Sequence, residues 1–232
     1  MKKRSTVYFR IIAAFAVFAM VFCMAGCSGD DSEGTSSESK NNKNSDGTYF
    51  DNGDTFCRGV WAVDDGEQRV GYYIFYNSDS GRFDDAHLGM SVPFEVKING
   101  NAADFALGAS DFTDPTSVEI SAEGKRSLTW TNENRVEYLT LLGQQEPDSF
   151  SFFTQNDLTE IAMDYYEQNA GKRPGEAQVT IGVDGMAVIT LLNRVGGNGI
   201  VIAEYNVDSI TGKGTVSGKD EEIVFVKNDD ND

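Results

Sequence analysis

Residues 91–107 read SVPFEVKINGNAADFAL, and they set the pattern for the first half of the chain. Apolar side chains alternate along one face of this stretch: Val92, Phe94, Val96 and Ile98. Asn99-Gly100 is a dipeptide that accepts positive φ in a tight hairpin turn, and apolar residues return at 103–107. The stretch therefore predicts a β-hairpin with one buried face and one solvated face.

Similar segments lie on both sides of this hairpin within residues 47–145. The other predicted strands are 60–63, 70–76, 118–122, 127–131 and 136–142. Turn residues separate them, as in Asp64-Asp65-Gly66. About seven short strands in a meander predict a small antiparallel β-barrel-like domain, with a small sandwich as the alternative.

Gly59-Val60-Trp61, at the start of this block, resembles the Gly-x-Trp of the first strand in lipocalins and related calycin barrels. The resemblance covers these three residues and the meander pattern. It implies a barrel whose interior receives a small molecule around Trp61 and Phe94. Packing of Trp61 in the core is the alternative, because large aromatic side chains most often serve that purpose.

A second block, residues 146–226, begins where the apolar period changes from two to 3.6. Leu158, Ile161, Ala162 and Tyr165 share one helical face. Asp157 and Glu160 form a start similar to a capping box, and Gly171 marks the end. The strands predicted after the helix are 177–183, 186–192, 200–207 and 222–226. We expect one helix packed on a 3–4-stranded antiparallel sheet, so the fold class is mainly β with α+β.

Tyr205-Asn206-Val207-Asp208, followed by Thr211-Gly212-Lys213-Gly214, resembles the V-D-x-x-T-G-K ending of PepSY repeats. The order of helix and strands is also similar to PepSY-type and cystatin-like α+β modules of secreted bacterial proteins. This resemblance implies binding or inhibition of exported enzymes, without chemistry of the module's own.

The N-terminus combines basic residues, from Lys2 to Arg10, with an apolar run over residues 11–24. The run is shorter than the roughly 20 residues that span a bilayer core, which is typical of a signal peptide. Met24-Ala25-Gly26-Cys27 resembles the lipobox of bacterial lipoproteins. The resemblance implies cleavage after residue 26 and a diacylglycerol anchor on the Cys27 sulfur. An uncleaved anchor is the alternative, with the same extracytoplasmic side for the domains.

Residues 27–46 are polar after the cysteine and predict a disordered tether, and residues 227–232 form an acidic tail. The chain has a formal net charge of −18. Loss of the four basic residues in the leader leaves 15 of the 19 Lys and Arg against 37 Asp and Glu, a net charge of −22. Such a chain repels phosphate backbones, so nucleic-acid binding is excluded as a function class.

Residues able to support catalysis or metal binding are few. Cys57 is the one cysteine outside the leader and the lipobox, and its apolar neighbours favour burial. His87 is the single histidine, so a structural zinc site lacks ligands, and no Gly-x-Ser-x-Gly motif occurs. Residues 77–81 begin like a calcium loop but lack its later ligands, which favours a hairpin loop. The sequence predicts no catalytic residue, cofactor or metal.

We therefore expect a lipoprotein, lipid-anchored to the cell membrane and facing the extracytoplasmic side, that acts as a non-catalytic binding or protein-interaction module. Its architecture resembles surface lipoproteins of Gram-positive bacteria. A small-molecule receptor and an exported hydrolase are the alternatives. The aromatic strand 70–76 is either a binding surface or sheet packing. Candidate contacts with a ligand or a partner are Trp61, Tyr72, Phe94, Tyr165 and Tyr166.

Overall fold

The first block forms a closed antiparallel barrel of eight strands. The structure, a computed structural model, describes residues 43–45, 47–48, 54–108, 114–121, 123–131 and 133–227. The strands are β1 Gly59–Asp64, β2 Arg69–Phe75, β3 Ser80–Asp85, β4 Ser91–Asn99, β5 Ala102–Leu107, β6 Asp114–Ile120, β7 Arg126–Trp130 and β8 Arg135–Leu142. Each strand pairs with the next, and β1 closes the barrel on β8. The predicted barrel is confirmed.

Strand β3 is the one barrel strand that the sequence pattern did not predict. Its residues, SGRFDD, offer few apolar side chains in alternation. Gly81 lies so close to β2 that a Cβ atom built on it would stand 2.1 Å from the Ile74 carbonyl oxygen. Before the strand, the Asn77 side-chain oxygen accepts hydrogen bonds from the backbone N–H groups of Asp79 and Ser80, at 3.1 and 2.7 Å. This segment is therefore a hairpin turn that enters a strand.

The second block contains one helix and a five-stranded antiparallel sheet. A short 3-10 helix, Pro147–Ser149, precedes α1, Gln155–Ala170. The strands are β9 Glu176–Ile181, β10 Met186–Val195, β11 Asn198–Asp208, β12 Lys213–Val216 and β13 Glu222–Val224, in the spatial order β13-β12-β11-β10-β9. The predicted helix on a sheet is confirmed. The additional strand, β12, has a single buried side chain, Val216, which leaves little apolar pattern to detect.

The N-cap residue of helix α1 lies three residues before Asp157, the predicted start of the capping box. Thr154 is the N-cap residue, and its hydroxyl accepts a hydrogen bond from the Asp157 N–H at 3.0 Å. The Asp157 carboxylate in turn accepts from the Thr154 N–H at 2.9 Å. Asp157 thus closes the box from its third position rather than opening it, since its carboxylate reaches back to the cap backbone.

The two blocks share a hydrophobic core on the outer surface of the barrel. Side chains on the outer face of β1 and β2 pack with the 150–153 segment, with α1 and with the inner face of the sheet. The barrel side contributes Val60, Ala62, Tyr72 and Ile74. The barrel interior forms a separate core. Both faces of β2 are therefore buried, one inside the barrel and one beneath the second block.

Several predictions concern parts of the chain outside the described residues. Cys27, the signal peptide and most of the tether and acidic tail belong to this group. At the end of the predicted tether, Lys43 forms an ion pair with Glu146. Along the described parts of the chain, none of the helices has the length and apolar character needed to cross a membrane.

Candidate functional site

Trp61 lies wholly buried at the end of the barrel where β1 begins. Its indole N–H donates to the Cys57 carbonyl at 3.1 Å, and the Arg126 guanidinium lies 5.1 Å from its ring centroid. Arg126 also donates to the backbone carbonyls of Thr55 and Asp54, at 2.9 and 2.8 Å. These contacts join the 54–57 segment to the barrel wall, so this end is covered by the protein's own residues.

Phe94 is buried in the middle of the barrel among other aromatic rings. Its ring centroid lies 4.8 Å from that of Phe75 and 5.4 Å from that of Tyr73. Phe105 packs against it at 6.0 Å, and Phe105 in turn contacts Trp130 at 5.2 Å. At these separations the rings are in direct contact. The protein's own aromatic side chains thus occupy the space in which the lipocalin resemblance implies a ligand.

A buried carboxylate lies near the other end of the barrel. Glu137 accepts hydrogen bonds from the Trp130 indole N–H at 3.0 Å and from the Tyr73 hydroxyl at 3.3 Å. The Arg135 guanidinium lies 3.3 Å from its other oxygen. Burial raises the pKa of Glu137, and Arg135 and the two hydrogen bonds oppose that rise. Burial, together with the Glu137 charge, also raises the pKa of Tyr73.

Sequence analysis did not single out Glu137. In β8 the apolar Val136 and Tyr138 face outward, while Glu137 and Leu139 face the barrel core. The strand alternates as expected, but a charged residue stands on the inward face and a valine on the outward one. A buried carboxylate needs hydrogen-bond donors, and those of Glu137 come from two other strands. The positions of these donors depend on closure of the barrel.

We expect Glu137→Gln to change how stability depends on pH. Because the folded pKa of Glu137 is raised, the native state holds its proton at pH values where the unfolded chain has lost it. The wild type should therefore lose unfolding free energy relative to the variant as pH rises above about 4.5, until the folded carboxyl has ionised. Urea unfolding from pH 4 to 8 measures this difference.

Glu133→Gln is the matched control for this prediction. Glu133 is more than half exposed and pairs with the same arginine, Arg135, at 3.1 Å. An exposed carboxylate should leave the pH profile nearly parallel to that of the wild type. A Glu137→Gln profile that also stays parallel to the wild type would contradict the burial of an ionisable carboxyl at this position.

Tyr72 lies in the core shared by the two blocks. Its ring contacts Phe150 and Phe152, with centroids at 4.9 and 4.6 Å. Its hydroxyl lies 3.4 Å from the Ser209 hydroxyl. Burial raises the pKa of Tyr72. This predicted contact residue thus joins barrel and sheet, and its side chain is covered on the folded protein.

Tyr165 and Tyr166 are half-buried on α1, so part of each ring reaches solvent. The Tyr165 ring packs against Tyr205 at 5.8 Å, and its hydroxyl donates to the Glu221 carboxylate at 3.4 Å. Burial, with the neighbouring Tyr165, Tyr166 and Glu221, raises the pKa of Tyr205 to about 12. These groups form one cluster between α1, β11 and the β12–β13 turn.

An open strand edge extends from this cluster. The outer neighbour of β11 is β12, which pairs with it only between Tyr205 and Val207. Within the part of the chain that the structure describes, no strand pairs with the outer side of β11 over residues 198–203, which we call the β11 edge. Its sequence, NGIVIA, contains no ionisable side chain.

The hairpin that carries the β11 edge is exposed and apolar. Gly196 and Gly197, both with positive φ, form its two-residue turn. Val195, Ile200 and Val201 have exposed fractions of 61%, 49% and 58%. Natural proteins usually protect a sheet edge with charges, prolines or a covering element. The β11 edge has none of these devices among the described residues, which makes it the strongest candidate for a binding surface.

Acidic residues border one end of the β11 edge. The Ser217 N–H donates to the Glu204 carbonyl at 2.8 Å, and from there the chain turns away into β13. This turn contains Asp220 and Glu221, and β13 begins at Glu222. Glu221 is also the partner of Tyr165. The edge therefore ends against a partly exposed aromatic and acidic cluster.

The other sequence motifs have structural roles. Asp208, in the PepSY-like motif, accepts hydrogen bonds from the Ile210 and Thr211 N–H groups at 3.1 and 2.7 Å, which forms the β11–β12 turn. Cys57 is buried in the barrel core. His87 Nδ1 lies 2.5 Å from the Gln155 side-chain oxygen. No cluster of three or more His, Cys, Asp or Glu side chains that could hold a metal ion occurs among the described residues.

Comparison of the chain with protein-family models, curated proteins and solved structures finds no match. The lipocalin and PepSY resemblances therefore rest on short motifs and on the fold. The closed eight-stranded barrel is compatible with a lipocalin-like fold.

Proposed function

We propose that this protein is an extracytoplasmic lipoprotein, anchored through a lipid on Cys27, whose folded part binds another protein through the β11 edge without catalysis. The observation that supports binding is the unpaired, exposed and apolar edge strand. An edge strand presents backbone N–H and C=O groups that a second chain can pair with. The half-exposed Tyr165 and Tyr166 beside it are residue types enriched in protein interfaces.

The small-molecule alternative receives less support. A receptor of the lipocalin kind holds its ligand inside the barrel, and here aromatic side chains such as Phe94 and Phe105 pack against each other in that space. An exported hydrolase would need convergent catalytic groups in an accessible site. The buried carboxyl of Glu137 is already engaged by Trp130 and Tyr73.

Site-specific photo-crosslinking tests the binding proposal. A photoreactive amino acid is placed at Val201, on the β11 edge, and in a second protein at Val136, an exposed valine on the barrel. Both full chains are produced in the native cell and irradiated. We expect a discrete crosslinked protein band from position 201 and none from position 136. Identical patterns from both positions would contradict a binding surface at the edge.

We expect Cys27→Ser to release the protein from the membrane. Two acyl chains hold a protein stably, since each buried methylene contributes about 0.8 kcal/mol, whereas a protein without them lacks that affinity. Detergent phase partitioning of the mature protein measures the change: wild type in the detergent phase, variant in the aqueous phase. Cys57→Ser is the control and should partition with the wild type. Wild-type protein in the aqueous phase would refute the anchor.

A further inference from the structure

We infer that the partner contributes an extended, positively charged segment that pairs with the β11 edge as an additional strand, in line with β12. This inference rests on the proposed function and names the chemistry of the partner. A β-strand rises about 3.3 Å per residue, so the edge offers roughly 20 Å of unpaired backbone over residues 198–203. That length accommodates one short strand of a typical size.

The sheet leaves space for such a strand at one position. β12 occupies the neighbouring place only from Tyr205 to Val207, where it pairs through Val216 to Gly214. An incoming strand would continue the line of β12 toward the hairpin tip. Leu191 pairs with Ala203 and Leu192 with Val201, so Ile202 is an extra residue that bends β11 locally.

Side chains around the edge define what the incoming strand presents. Ile200 and Val201 are exposed and apolar, so they favour apolar side chains opposite them. On the helix side, Tyr165 and Tyr166 add partly exposed aromatic surface. Cationic side chains pack favourably on aromatic rings. The acidic neighbour of Tyr165, Glu221, would attract the same cationic side chains.

Charge favours a cationic segment over a second copy of this chain. Asp220 and Glu221 lie in the turn at the end of the edge and Glu222 begins β13, whereas the same turn holds one cation, Lys219, 3.9 Å from Glu221. The chain as a whole has a net charge of −18. Two copies brought edge to edge would both carry this negative charge. Lysine or arginine in a partner strand is attracted by the same charges, which steer association and select the partner.

Two designed peptides test the inference on the full chain in detergent micelles. Both alternate valine with charged or threonine residues, one with three lysines and its twin with three glutamates. Fluorescence anisotropy measures binding, and hydrogen exchange measured by mass spectrometry locates it. We expect the lysine peptide to bind at least about tenfold more tightly than the glutamate twin, with slower exchange over residues 198–203.

Val201→Lys provides the decisive variant, because a lysine on an edge strand is a natural block to further pairing. We expect it to weaken binding of the lysine peptide by about tenfold or more, which corresponds to about 1.4 kcal/mol. Val136→Lys, on the exposed face of β8, should bind as the wild type does. Both positions are exposed, so both variants should retain the wild-type melting temperature.

Four outcomes would overturn the inference. Equal binding of the two peptides would contradict the charge requirement, and binding without slower exchange over residues 198–203 would contradict pairing at the β11 edge. Self-association of the chain that Val201→Lys abolishes would identify a second copy as the occupant. If neither peptide binds while position 201 still crosslinks to a protein, the inference fails and the proposed function stands. If neither peptide binds and position 201 gives no crosslinked protein, the proposed function fails as well.

Discussion

Trp61→Ala is expected to lower the free energy of unfolding by about 3–5 kcal/mol, the range for removal of a large aromatic side chain from a packed core. Trp61 is wholly buried, so the substitution leaves a cavity at the end of the barrel. The indole hydrogen bond to Cys57 and the stacking of Arg126 disappear as well. Urea unfolding followed by far-UV circular dichroism measures the change.

Trp61→Phe is the control for this prediction, because it keeps an aromatic ring beside Phe56, which contacts the Trp61 ring at 6.1 Å. It should cost clearly less than the alanine variant. The result also bears on function. A loss below about 1 kcal/mol for Trp61→Ala would mean that the barrel interior is loosely packed, and the receptor alternative would regain support.

Most of the barrel follows from local sequence patterns. The 91–107 stretch alternates and contains Asn99-Gly100, and the structure forms β4 and β5 around that turn. Strand β3 lacks such a pattern because its place in the barrel depends on pairing with β2 and β4. Gly81 allows the close approach to β2, and a glycine adds nothing to an alternation of apolar residues.

The division of aromatic residues between two cores could not be predicted from the sequence. Tyr72 and Tyr73 are neighbours in β2, and both are buried. Tyr73 points into the barrel, whereas Tyr72 points toward the second block. A strand with both faces buried carries no alternation of polar and apolar residues, so the sequence alone left a binding surface and sheet packing as alternatives for the aromatic strand.

The β11 edge shows a different limit of sequence analysis. Residues 200–207 were predicted as a strand, and they lie within β11. Exposure of the outer side of residues 198–203 depends on where β12 ends, and strand lengths in a sheet are set by tertiary pairing. The absence of charge in NGIVIA is a local signal that can be used, since edge strands of natural sheets usually carry a charge or a proline that blocks further pairing.

Tyr72→Ala is expected to cost about 3–5 kcal/mol of unfolding free energy, because the ring connects the barrel to Phe150 and Phe152. Tyr138→Ala, on the exposed face of β8, should stay within about 0.5 kcal/mol of the wild type. Tyr72→Phe removes only the hydroxyl near Ser209 and should cost about 1 kcal/mol. Denaturant unfolding ranks the three variants.

The elements that Tyr72→Ala destabilises are as informative as the unfolding free energy that it removes. If Tyr72 joins the two blocks, Tyr72→Ala should speed hydrogen exchange in α1 and β9–β11 as well as in β1 and β2, since these elements bury their apolar faces in one shared core. Faster exchange confined to the barrel would contradict that core. The β11 edge lies on the sheet that this core supports, so the same variant should also weaken binding there without touching the edge.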